Sequence, residues 1–432
     1  MELISILVLF ILFFALLAYG LPVAYSIGIA TTVSLLLNIA FLPGITTICQ
    51  RMTTGIDSFA LLAIPFFVLA GELMNRGGIA NRLISLAKSL VGSLPGGLAY
   101  VNVVAAMLFG AISGSAVAAA SAIGSIMTDR MEEEGYPRPF SAAVNISSST
   151  TGLLIPPSNV LIIYALASGG AASVASLFMA GYIPGILVGL ALILMAAIYA
   201  KRKGLPKGER VKLPKLLRDF RDALFSLLLL VVVVGGIVYG IFTATEAAAI
   251  AVLYAGVLAM LYKEVKISDF KSILLASAKT TSVVMFLICT SIAMSWLFSF
   301  ESIPQMFTSF LLGYFDSAIV IFLIINLTLL IVGTFMDMTP AVLIFTPIFL
   351  PVVTKLGMDP VHFGIIMVLN LSIGLCTPPV GTILFVGSGV AKVPVTQVIK
   401  PLMPLLITMI VVLMFVTYFP QLSLWLPDLF GL

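Results

Sequence analysis

Charge is what this chain has least of. Only 9% of its 432 residues are charged and 61% are hydrophobic, with mean hydropathy +1.21. Soluble domains carry roughly 25% charged residues, so the composition is that of a polytopic membrane protein with little room for a soluble domain. There is one histidine, His362. It is expected at a membrane edge, as a surface or helix-start residue, which leaves no Ser-His pair for an intramembrane serine protease. Asp337 has no opposed aspartate, so an aspartyl protease is also excluded. No GxxxxGK[ST] loop is present, which excludes a P-loop ATPase. The three cysteines, Cys49, Cys289 and Cys376, lie far apart in apolar surroundings and suggest neither a metal cluster nor a disulfide framework. The net charge of +4 does not point to nucleic acid, because the basic residues fall in loops. The N-terminus lacks a basic stretch before its apolar run and reads as a retained membrane helix. Nothing here suggests an enzyme.

What is present is a pair of double prolines inside long apolar runs, Gly152-Leu-Leu-Ile-Pro156-Pro157-Ser158-Asn159 and Gly374-Leu-Cys-Thr377-Pro378-Pro379-Val-Gly381. Proline removes a backbone donor and clashes with the preceding turn, so each helix should break there. A break at membrane depth is tolerable only inside protein or beside a polar cavity. Gly135 and Gly357, Gly152 and Gly374, Pro156 and Pro378, and Ser115 and Asp337 all pair at an offset of 222; Gly20 and Gly240 pair at 220. One unit of about two hundred residues is therefore used twice, as in many transporters.

Apolar runs long enough to cross a bilayer fall near 2–19, 22–41, 59–75, 173–200, 223–240, 244–262, 280–299 and 394–419. Two spans broken at the double prolines run near 138–168 and 361–390. Two segments, 97–131 and 317–354, are interrupted midway and read as re-entrant hairpins. The expectation is ten crossings and two hairpins, five and one per repeat, which inverts the second repeat. Short mixed segments at 45–58 and 264–279 fit surface-lying helices or loops equally well. Lys and Arg then sort to one side: twenty of the twenty-two, including the run at 201–221, fall on one face. That face is taken as cytoplasmic, with both termini outside. The expected division is scaffold at 1–75 and 223–299, transport parts at 76–200 and 300–432, and a basic cytoplasmic loop at 201–222.

The hairpin tips carry Ser113-Gly-Ser115 and Gly333-Thr-Phe-Met-Asp337-Met-Thr339-Pro340. Asp337 is an ionisable group at mid-membrane depth, which is a functional hypothesis by default; Asp337 or Thr339 could also simply cap the helix beginning at Pro340. Ser147 to Gly152, Ser158 and Asn159 flank the first break; Asn370, Ser372, Gly374 and Thr382 flank the second. The expected cavity holds no Lys or Arg. An anion there would rely on helix N-termini, hydroxyls and bound cations. Half-helix carbonyls with Asp337 suit a small hard cation, which suggests one sodium ion per repeat: Ser113, Ser115, Ser149, Gly152 and Pro156 for the first, and Gly333, Asp337, Gly374 and Thr377 for the second. Substrate is expected against Ser115, Ser158, Asn159, Thr339 and Thr382.

Phe59-Ala-Leu-Leu-Ala-Ile-Pro-Phe-Phe-Val-Leu-Ala-Gly-Glu72, Ser113-Gly-Ser-Ala-Val117, Ile155-Pro-Pro-Ser158, Phe242-Thr-Ala-Thr-Glu-Ala247 and Thr377-Pro-Pro-Val-Gly381 resemble the large membrane subunit of tripartite ATP-independent periplasmic (TRAP) transporters over nearly the whole chain. The resemblance implies an all-α elevator-type importer of the bacterial inner membrane, coupled to two or more sodium ions. It also implies two partners: a periplasmic substrate-binding protein that delivers an organic acid, and a separate small four-helix membrane subunit. Many members carry an acidic residue shortly after the Ser-Ala-Val equivalent; here Ala118, Ala119 and Ala120 stand there. The Ser158-Asn159 pair favours a sugar acid such as sialic acid over a C4-dicarboxylate. Two other readings stay open: a self-sufficient sodium-coupled anion carrier, and a membrane scaffold subunit without a site.

Overall fold

The computed structural model describes residues 2–208 and 211–432, and among them it is all-helical. The first half runs α1 (Glu2–Ala18), α2 (Val23–Leu36), α3 (Phe41–Ile56), a 3-10 turn (Phe59–Leu62), α4 (Ala63–Arg76), α5 (Ile79–Val91), α6 (Gly97–Ser113), α7 (Ala116–Glu133), α8 (Arg138–Ser149), a 3-10 turn (Thr151–Leu153), α9 (Asn159–Ala167) and α10 (Val174–Lys203). The second half runs α11 (Leu213–Val238), α12 (Ala244–Leu261), α13 (Phe270–Phe300), α14 (Ile303–Tyr314), α15 (Ala318–Phe335), α16 (Met338–Lys355), α17 (Pro360–Gly374), α18 (Thr382–Ala391), α19 (Val395–Tyr418) and α20 (Gln421–Leu429). Among the described residues, eight helices are long and apolar enough to cross a membrane by length and composition. The transmembrane character read from composition is thus present in the folded elements.

Several boundaries differ from the sequence reading. The segment at 45–58 lies in α3 up to Ile56, but 264–279 is no separate element: after a short 3-10 turn it runs into α13, which is 31 residues long. Lys271 and Lys279 interrupt the apolar run without breaking the helix, since Lys is a good helix former. Two unassigned stretches fold as α5 and α14, and a third as α20 after the last span. The basic stretch is partly helical, because α10 continues to Lys203 and α11 begins at Leu213. His362 stands at the start of α17 as expected, but it is buried rather than at the surface, with Nε2 3.3 Å from the carbonyl of Thr417. All three cysteines are free.

Both long helices with double prolines are broken there, and both Pro-Pro peptide bonds are cis. Each hairpin packs against the broken helix that follows it, and the halves interlock: α18 packs on α7, α9 on α16, α19 on α8 and α17 on α10. Cys376, at the second break, donates its thiol to the carbonyl of Ile146 before the first, at 3.3 Å. Arg138 ties the ends of three helices together, pairing with Asp129 and Glu132 and donating Nε to the carbonyl of Ala391 at 2.6 Å.

Glycine sets the closest approaches. A Cβ on Gly152 would lie 2.3 Å from the Cα of Gly110, and one on Gly374 would lie 2.6 Å from the Cα of Gly333. In each half the hairpin backbone therefore touches the backbone of the break, as small residues allow between membrane helices. Polar side chains stitch the same pairs. Asn370 donates to the side chain of Asn326 at 2.7 Å, and Ser148 to that of Asn102 at 3.4 Å.

Gly152→Ala should cost about 1–3 kcal/mol, because backbone rather than a flexible side chain blocks the new methyl group. Gly313→Ala meets nothing within 4 Å and should be neutral or up to about 1 kcal/mol stabilising, since Ala is the better helix former. Thermal unfolding of the two purified variants in one detergent should show a clear drop for the first and none for the second.

Candidate functional site

A cavity of about 510 Å³ opens where the hairpin tips, the breaks, α4 and α13 meet. Its wall includes Ser113, Gly114 and Ser115 from the first tip, Asp337 and Thr339 from the second, and Asn159 just past the first break. Leu153 and Leu375 occupy matching places before the two double prolines and both face it. The rest of the wall comes from α4, including Gly71, Glu72 and Asn75, and from Thr280 and Val284 of α13.

The backbone supplies most of the field. The first turns of α7, α9 and α16 all border the cavity, through Ala116 to Ala118, Asn159 with Val160, and Met338 with Thr339. Helix N-termini present unsatisfied amides and a partial positive charge, which favours anions. The wall also holds three residues at helix C-terminal ends, Ser113 of α6, Leu153 of the 3-10 turn and Leu375 following α17. The carbonyl of Leu375 is taken by the amides of Ile383 and Leu384, at 3.1 and 3.4 Å, whereas helix C-terminal carbonyls such as those of Ser113 and Leu153 favour cations. Anion-favouring and cation-favouring ends thus meet in one space.

The equivalent residues Ser115 and Asp337 take the same N-cap position and use it differently. Ser115 Oγ accepts from the amide of Ala118 at 3.2 Å and caps α7. Asp337 precedes α16, which begins two residues before Pro340, and its carboxylate makes no capping hydrogen bond. The carboxylate is instead exposed to the cavity. Gly114 is left-handed, with φ +62°, and a Cβ there would lie 3.2 Å from Nδ2 of Asn159, so the tip and the start of α9 abut.

The residues picked out from sequence fall into two groups. Ser113, Ser115, Asn159, Asp337 and Thr339 share the cavity wall. The others lie off it. Ser149 is fully buried and donates to the carbonyl of Asn145 at 2.5 Å; Ser147, Thr150 and Thr151 likewise bond back to their own helix, the ordinary behaviour of hydroxyls in apolar helices. Gly152, Gly333 and Gly374 are helix-packing contacts. Pro156 is buried, and Thr377 donates to the carbonyl of Ile373 at 2.8 Å. Ser158 is fully buried with no partner for Oγ, and Thr382 is exposed away from the cavity.

Sequence reasoning passed over Glu72, Asn75, Ser121 and Thr280. Glu72 was the detectable one, being a carboxylate within an apolar span. Its Oε2 lies 3.9 Å from Nε of Arg76, one turn along α4, and Arg76 also donates to Ser272 at 2.6 Å. Among the described residues the wall contains two carboxylates and neither Lys nor Arg.

The chain resembles known proteins over nearly all its length. Residues 10–422 match the family described as tripartite ATP-independent periplasmic transporter, DctM component. The uncharacterized protein YgiK of Salmonella typhimurium is 55% identical over 99% of this chain and 98% of its own length. The C4-dicarboxylate TRAP transporter large permease DctM of Rhodobacter capsulatus is 40% identical over 99% of this chain and all of its own. The sialic acid large permease SiaM of Vibrio cholerae is 40% identical over 95% of this chain and 96% of its own. Among solved structures, the Alcanivorax borkumensis YdaH transporter superimposes with a TM-score of 0.64 over 94% of this chain and 97% of its own, at 14% identity, a likeness of fold alone. Its tip and break motifs thus stand in a whole-length family match: the chain belongs to the tripartite ATP-independent periplasmic transporters, as their large permease component.

Proposed function

We propose that this chain is the membrane subunit of a sodium-coupled importer that takes an organic-acid anion from a periplasmic binding protein and works beside a small four-helix membrane subunit. The single observation that carries the reading is the cavity of about 510 Å³ where helix N-termini, helix C-terminal ends and Asp337 meet, with no Lys or Arg among the described wall residues. Its size suits a small-molecule site. An uncompensated carboxylate in a membrane interior costs several kcal/mol. A sodium ion bound between Asp337 and nearby carbonyls removes that cost. It also turns a site that would repel an anion into one that attracts it, which couples the two solutes. The second sodium ion is assigned to the first tip, where Ser113 and Ser115 face the same space.

The substrate class follows from the same wall. A dicarboxylate would bring two negative charges to a cavity that already holds Asp337 and Glu72. A monoanionic polyhydroxy acid brings one, with hydroxyls matched by Ser113, Ser115, Ser121, Asn159 and Thr339. Sugar acids such as sialic acid are therefore favoured and C4-dicarboxylates come next; relatives named for each class align along most of this chain. The two halves are read as inverted repeats moving as an elevator, with the tips and breaks sliding past α4 and α13. The seam is narrow at Gly71, where a Cβ would lie 2.9 Å from the carbonyl oxygen of Ser113.

Proteoliposomes carrying this chain and its small subunit, with binding protein outside, should take up the substrate only under an inward sodium gradient. Uptake of free substrate by this chain alone would instead favour a self-sufficient carrier. Asp337→Asn keeps size and capping capacity and removes charge. It should flatten the sodium dependence of uptake and the stabilisation of the purified protein by sodium; wild-type titration curves at normal expression would remove Asp337 as a ligand. Gly71→Leu should lower the maximal uptake rate while leaving sodium-dependent stabilisation in place. An unchanged rate would count against sliding at this seam.

A further inference from the structure

A second concave site lies away from the transport cavity, on the face that carries the basic residues. It is a groove of about 340 Å³ between the start of α8, the end of α10 and the first turns of α19. Its floor is apolar. Phe140 and Tyr199 stack face to face with ring centroids 3.8 Å apart, and Met195 and Leu405 continue the surface along the helices. Its rim is cationic. Lys203, in the last turn of α10, and Lys400, in the second turn of α19, both border it and both are exposed. Neither forms an ion pair with a carboxylate among the described residues.

The two halves of this groove want different things. Apolar walls running along membrane helices match an acyl chain. Two unpaired ammonium groups at the level where the helices leave the apolar layer match a phosphate. Lysine near a helix end reaches to the interface in this way, and basic groups there are attracted to an anionic leaflet. Pro401 and Pro404 add a further feature. Having no N–H, they leave the carbonyls of Gln397 and Lys400 without their usual helical donors.

We propose that this groove is a binding site for one anionic glycerophospholipid, with its phosphate between Lys203 and Lys400 and an acyl chain over Phe140, Met195 and Leu405. The site joins the two halves of the chain through a ligand, since α8 and α10 come from the first and α19 from the second.

Native mass spectrometry of the full-length chain, delipidated in detergent and titrated with phosphatidylglycerol or phosphatidylcholine, tests this. Wild type should retain one phosphatidylglycerol at least tenfold more tightly than phosphatidylcholine. The double variant Lys203→Gln, Lys400→Gln should lose that preference. The double variant Lys212→Gln, Lys215→Gln, which removes equal charge outside the groove, should keep it. Met195→Trp, which fills the apolar floor and spares both lysines, should weaken lipid retention. Equal retention of the two lipids by wild type, or loss of preference in the control pair, would overturn the proposal in favour of general charge attraction. Stabilisation by inorganic phosphate as large as that by phosphatidylglycerol would overturn it in favour of a free-anion site. Thermal melts of each variant establish that it is folded before lipid is added.

Discussion

Every backbone amide and carbonyl at membrane depth needs a partner, and that constraint organises this protein. Helices satisfy it within themselves. The chain departs from helix at two hairpin tips and two double-proline breaks, and the fold brings parts of all four to one cavity. What would be a cost elsewhere becomes the site's chemistry. The N-terminal ends of α7, α9 and α16 form an anion-favouring surface, and helix C-terminal ends nearby form a cation-favouring one.

Close packing makes the gathering possible. The tips can reach the breaks only because Gly110 meets Gly152 and Gly333 meets Gly374 backbone to backbone. Many hydroxyls and amides around these contacts bond to one another or to their own helix, as when Asn370 donates to Asn326. That leaves a small set of polar groups facing the cavity. The same economy separates Ser115 from Asp337: one closes its helix with its own side chain, while the other leaves its carboxylate open.

Much of this was legible in the sequence. Proline at 156, 157, 378 and 379 has one physical meaning inside an apolar run, so both breaks were locatable from the chain. The hairpin turns at Gly114 and before Met338 were legible for a related reason, since small and polar residues at mid-run mark a reversal. Boundaries were less legible. Lys271 and Lys279 suggested an interrupted segment, yet they lie inside one long helix, because helix propensity and span hydrophobicity are separate properties. The helices α5 and α14 escaped notice because each is amphipathic and, at 13 and 12 residues, too short to read as a span.

By itself, then, the sequence determined that the chain spans a membrane, where its helices break and which residues stand at the breaks. These are local consequences of hydropathy and backbone chemistry. Only tertiary structure decided which of those residues share a space. Ser149 and Asp337 looked alike as polar groups at the expected sodium sites, but one bonds to its own helix and the other faces the cavity. Glu72 looked like part of a motif and proved to line the same cavity as Asp337. Which way a side chain faces depends on the neighbours that pack around its helix, and those come from distant parts of the chain.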